Sequence, residues 1–217
     1  MFGTGSVSLL LCIPAALIAL TVHEYCHGYT AFRLGDPTAR SLGRLSLNPI
    51  KHLDPIGSLL MVLFGFGWAK PVPVNPRYFK DPRKGMALVA AAGPLSNLLL
   101  AFIGALLYRL TLLLAGAVHS AFLLNFVLLL ATFFFVFHLL NVSLCVFNLI
   151  PLPPLDGSRI FYVFLPPRAY WGVMKYERII QLVLLLALWL GAFSGLIDTV
   201  VGWISGGMLW LINLIIP

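Results

Sequence analysis

The segment His23-Glu24-Tyr25-Cys26-His27 holds the residues best equipped for chemistry. On a helix, side chains four residues apart lie on one face, one turn from each other. His23 and His27 can therefore offer two neutral imidazole nitrogens to a single Zn²⁺. Glu24, adjacent to the first histidine, is then placed to serve as general base for metal-activated water. No charged side chain precedes Glu24. Ionisable groups inside so apolar a helix are costly and call for partners and a task. Tyr25 and Cys26 read as packing residues.

Two histidines leave a catalytic zinc site one protein ligand short. The chain has only 7 Asp+Glu, so the search is brief. Asp36, Asp54, Asp81 and Glu177 lie among basic residues and read as solvated, and Asp198 suits a helix break. Asp156 remains, in NLIPLPPLDG (148–157), where a long apolar segment ends. Depth agrees with the pairing: Arg33 follows His27 by six residues and Arg159 follows Asp156 by three, near one membrane face. The other reading of Asp156 is an Asp-Gly turn at a helix exit.

The elements that must carry these residues are apolar. Hydrophobic residues make up 60% of the 217 and charged residues 10%, against roughly 45–50% and about 25% in soluble domains. This excludes a soluble enzyme, a disordered tail and a disulfide-stapled domain. The net charge of +7 could suggest nucleic acid, but the charges are few and scattered between long apolar runs. They read as membrane-orienting charges, with no nucleic acid partner. Cys12, Cys26 and Cys145 form no CxxC.

A helix crossing the roughly 30 Å hydrocarbon core needs about 20 apolar residues. The sequence predicts a retained first helix over 6–34, kinked at Pro14, then spans within 86–108 and 121–150. Residues 179–217 are long enough for a helical hairpin broken near 191–195. The expectation is an all-α polytopic membrane protein of about five transmembrane helices. Residues 55–67, short and holding three glycines, read as a re-entrant segment. Residues 41–47 and 70–75 are expected to form a small β element beside the site, one edge taking an extended substrate by strand addition. Of the 14 Lys+Arg, 13 fall within 33–84 and 159–178. Positive residues favour the cytosol, so these regions and the site are expected on the cytosolic side of the cell membrane, with the N-terminus outside and the C-terminus inside.

Three motifs in order, HEYCH (23–27), GPLSN (93–97) and NLIPLPPLDG (148–157), resemble the site-2 protease family of intramembrane zinc metalloproteases. GRLSLNPIKHLDPIG (43–57) and GWAKPVPVNP (67–76) are similar to its compact prokaryotic branch, which lacks PDZ and CBS domains. The likeness covers roughly residues 20–160. It implies Zn²⁺ held by His23, His27 and Asp156, Glu24 as the catalytic base, and cleavage of a substrate's transmembrane segment. It also implies that Asn97 and Asn148 bind the substrate backbone or the oxyanion. From the residues alone, Asn97 could equally make an interhelical hydrogen bond, and Asn148 could cap a helix. Residues 1–217 are expected to form one membrane protease domain. Its partners are a membrane-protein substrate helix and the bilayer. A membrane metal transporter or sensor using the same His/His/Asp site is the alternative, one that leaves Glu24 without a task.

Overall fold

The computed structural model describes residues 6–57 and 69–216. Long helices are α1 (Ser6–Arg33), α2 (Pro82–Ala117), α3 (Ala121–Asn148) and α7 (Ser194–Ile215). Shorter ones are α4 (Asp156–Phe161), α5 (Pro167–Lys175) and α6 (Glu177–Trp189). Pro14 and Pro94 lie inside α1 and α2.

Among the described residues, four helices are long and apolar enough to cross a membrane: the α1 part Leu10–Arg33, α2, α3 and α7. The expected fifth span corresponds to α6. Its 13 residues cover only about 20 Å at 1.5 Å per residue, short of the hydrocarbon thickness. The expected break in the C-terminal hairpin falls at residues 190–193. The proposed re-entrant segment lies almost wholly outside the described residues.

The β element is corrected. Among the described residues no strand forms, and the only bridge is an antiparallel one between Leu53 and Ala69. Residues 41–47 are the end of a helical turn followed by bends. Residues 70–75 run extended without a ladder, for a reason visible in their donors. Pro71 and Pro73 have no N–H, and the N–H groups of Lys70, Val72 and Asn75 go to His52 O, Glu24 Oε2 and Asp36 Oδ2.

The chain divides into two compact units. The first comprises residues up to 19, 97–147 and 191–217. Its interior is packed through small residues and a few buried polar ones. Ala101 and Ala105 are fully buried, and a Cβ at Gly104 would press on the His138 backbone at 3.1–3.2 Å. Such residues let apolar helices approach closely. His138, fully buried, joins three helices: Nδ1 donates to Ala101 O and Nε2 meets Ser205 Oγ, both at 2.8 Å. Arg109 Nε donates to Ile216 O at 3.1 Å. The Ala101–Ser205 and Arg109–Ile216 levels succeed each other in the same order along α2 and α7, so these helices run in the same direction. The C-terminal end of α7 therefore lies level with Arg109 on α2.

The second unit, residues 20–96 and 148–190, contains the histidine-bearing half of α1, the first turns of α2, and α4 to α6. Ala31, Phe79 and Val89 form its apolar centre, with Leu34, Val74 and Met86 against them. One sequence expectation changes here. Asp36 is fully buried rather than solvated, accepting from Thr38 N, Thr38 Oγ1 and Asn75 N. His52 is 1% exposed, and its Nε2 donates to Ser46 O at 2.6 Å.

His138→Ala and Ser205→Ala should each destabilise the protein by about 1–2 kcal/mol, the scale of an interhelical hydrogen bond in a membrane. Thermal unfolding in detergent should show the double variant losing less than the sum. Additive losses would mean the two side chains do not act together.

Candidate metal centre

Within the second unit, α1 and α4 bring three donor atoms to one point. The i, i+4 spacing on α1 sets the Nε2 atoms of His23 and His27 2.9 Å apart. Asp156, the first residue of α4, places Oδ2 3.2 Å from His23 Nε2 and 3.3 Å from His27 Nε2. Both histidines are buried and Asp156 is half-buried. In tetrahedral zinc sites with bonds of about 2.0–2.1 Å, neighbouring ligand atoms stand roughly 3.3 Å apart. One ion above this triangle can reach all three atoms. No other such cluster of His, Cys, Asp or Glu occurs among the described residues.

The donors have the right chemistry. His27 Nδ1 donates to Val89 O at 2.7 Å. A carbonyl only accepts, so the neutral ring carries its proton on Nδ1 and turns a bare Nε2 to the centre. Asp156 Oδ2 is buried and has no hydrogen-bond partner of its own. Burial pushes the Asp156 carboxyl up; where the imidazoles carry protons on Nε2 in place of an ion, their hydrogen bonds and charge outweigh it and bring the group down to about 2. At neutral pH it is an anionic ligand. These residues fit Zn²⁺.

The local chain explains how the third donor arrives. Pro151, Pro153 and Pro154 follow α3 and cannot continue a helix. Short-range bonds from Leu152 N to Ile150 O and from Leu155 N to Leu152 O coil the loop. Tyr162 Oη donates back to Pro151 O at 2.8 Å. Gly157 follows the ligand because a Cβ there would collide with the carbonyls of Leu149 and Ile150. α4 thus starts hard against the first residues of the loop that leaves α3, with Asp156 in its first turn.

Gly93, the first residue of GPLSN, sits against the imidazoles. A Cβ there would lie 2.5 Å from His23 Cε1 and His27 Nε2. The direct relation of this glycine to the imidazoles emerges only from the fold. Val89 and Val72 were also missed, because both act through backbone atoms that no side-chain pattern reveals. Val72 N–H donates to Glu24 Oε2 at 2.8 Å, and Glu24 is buried.

The two asparagines fare differently. Asn148 is the last residue of α3, half-buried, in the same unit as the triangle. Asn97 is fully buried in the first unit, where its Nδ2 donates to Asn141 Oδ1 at 2.9 Å. Asn141 Nδ2 in turn donates to Phe137 O. Asn141 went unremarked in the sequence, although it stands seven residues before Asn148, on the same face of an apolar helix.

Known proteins bear on this geometry. The model of the family described as peptidase family M50 matches residues 12–191. The chain is 51% identical over 151 residues to "Putative zinc metalloprotease YwhC" of Bacillus subtilis, covering 70% of this chain and 67% of that protein. It is 33% identical over 214 residues to "Putative zinc metalloprotease Rip2" of Mycobacterium tuberculosis H37Rv, covering 94% and 74%. The Rip2 protein of Mycolicibacterium smegmatis is 31% identical over 219 residues, covering 92% and 79%. No solved structure matches the chain.

Gly93→Ala should weaken zinc binding by about tenfold or more, the scale seen when groups supporting ligands are disturbed. Chelator competition on the detergent-purified protein measures this. Unchanged affinity would show that α2 can retreat from the histidines at little cost.

Proposed function

The chain belongs to peptidase family M50, the site-2 protease family, and is a zinc metalloprotease; on that premise we propose that it cleaves peptide bonds within the transmembrane segments of membrane-protein substrates. The reading is carried by the triangle of His23, His27 and Asp156 with Glu24 beside it on the same apolar helix.

His23, His27 and Asp156 hold the ion. Zn²⁺, when bound, supplies a Lewis acid that polarises the scissile carbonyl and makes water acidic enough to attack it. Glu24 is the base. Its Oε2 is fixed by Val72 N–H, which leaves Oε1 to take the water's proton and pass it to the leaving amine. Asn148 and Asn97 bind the substrate backbone or the developing oxyanion. A helical substrate hides its amide bonds, so the segment must unwind locally before it is cut, and its freed N–H and C=O groups then need partners.

The protein is a multi-pass membrane protein, and residues 1–217 act as one protease domain in the cell membrane. The site faces the cytosol, a placement supported by the 13 positive residues grouped in 33–84 and 159–178. Its partners are the substrate helix and the bilayer, and nucleic acid plays no part.

Glu24→Gln keeps size and hydrogen bonding but removes the base. Cleavage of a transmembrane substrate should fall at least about a hundredfold while zinc content stays at one per chain. Retained cleavage would refute the role of Glu24. Retained transmembrane movement of metal in the same variant would favour a transporter.

Cysteine labelling in intact cells tests sidedness. Positions in 70–84 should be shielded inside, and positions in 110–118 and a C-terminal tag should share the outer face. A C-terminal tag on the inner face would contradict the Arg109–Ile216 pairing.

A further inference from the structure

Arg83 lies far along the chain from every zinc ligand, yet it grips the element that carries Asp156. Its Nη2 faces three carbonyls, donating to Tyr162 O at 3.1 Å, Val163 O at 2.8 Å and Leu165 O. These carbonyls close the helical stretch formed by α4 and the 3₁₀ turn Tyr162–Phe164. Helix C-termini leave carbonyls without intrahelical donors and concentrate partial negative charge. A half-buried guanidinium answers both needs, with a planar fork that a lysine lacks.

Arg83 is itself held in register. Asp81 Oδ1 accepts from Arg83 N at 3.0 Å and Lys84 N at 3.1 Å, capping the start of α2. Farther along α2, Val89 O takes the His27 proton and Gly93 abuts both imidazoles. From Arg83 to Gly93 is ten residues, about 15 Å of helix. From Leu165 back to Asp156 is nine residues, most of them helical. One short length of α2 therefore touches the far end of the Asp156 element through Arg83 and the histidine pair through Gly93. The distance between those two contacts decides where Asp156 Oδ2 falls relative to the nitrogens.

We infer that Arg83 is a positioning residue for the metal centre, locking the C-terminal end of the Asp156-bearing helix to α2 so that the carboxylate closes the ligand triangle. This rests on the ligand set assigned under the proposed function. Without the clamp, α4 is tethered by its proline loop, by Tyr162 Oη on Pro151 O and by the Arg159–Glu177 ion pair to α6, none of which ties it to α2.

The test uses the full chain in detergent, titrated with Zn²⁺ against a chelator and separately loaded with Co²⁺, whose absorption bands report the ligand set. Arg83→Met should bind zinc about tenfold or more weaker, and its cobalt spectrum should shift toward that of Asp156→Ala. Arg83→Lys should recover part of the affinity. Lys84→Met removes a neighbouring cation that touches none of the three carbonyls and should match wild type. Wild-type affinity and spectrum in Arg83→Met would overturn the proposal, as would equal losses in Arg83→Met and Lys84→Met. If Arg83→Met does not fold, Arg83→Lys decides: weakened zinc binding supports the clamp and wild-type binding overturns it. Asp156→Ala separates the premises, because full zinc binding in that variant would overturn the ligand assignment itself.

Discussion

Two imidazole nitrogens and a carboxylate oxygen, all rich in lone pairs, stand 2.9–3.3 Å apart. In surroundings of low dielectric, groups of this kind repel unless positive charge lies between them. A fold can keep them ready only by fastening each from behind. The α1 backbone fixes the spacing of His23 and His27, and Val89 O fixes the ring of His27. Gly93 leaves the histidines no void on the α2 side. Asp156 comes from a separate element, so its place depends on the proline loop at one end of α4 and on Arg83 at the other. The first three turns of α2 thus touch both elements that carry the candidate ligands.

Side-chain chemistry was legible from residue types and spacing, and backbone chemistry was not. The i, i+4 histidines, the adjacent glutamate and an aspartate at matching depth could be selected because few ionisable groups exist among so many apolar ones. The long helices could be read from uninterrupted apolar length. Glu24's partner could not, because Val72 contributes an amide that any residue except proline would have. The extended stretch 70–75 looked like a strand because Val alternates with Pro. That alternation equally describes a segment whose few donors are spent on carboxylates, and only the positions of Glu24 and Asp36 separate the two cases.

Charge counting misled at one further place. Asp36 has basic neighbours in sequence, Arg33 and Arg40, and the expectation was a solvated carboxylate. Its oxygens instead turn inward to backbone and hydroxyl donors. Neighbours in sequence need not be neighbours in space where a helix ends, and the turn after α1 sends Asp36 under residue 75. Similarly, α6 was counted toward a span because the apolar run 179–217 is long. The bend at 190–193 divides it unequally, into 13 residues and 22.

The extended segment 70–75 has an effect on the protein's behaviour in a crowded bilayer. Bare strand edges invite pairing with the same edge of another molecule, because each offers donors and acceptors in alternation. This one does not alternate. Two of its residues have no N–H, and three others have theirs committed within the chain. Two copies meeting along this stretch would bring carbonyl against carbonyl, with few protons to share. Extended backbone can therefore lie beside the metal centre without serving as a template for self-association.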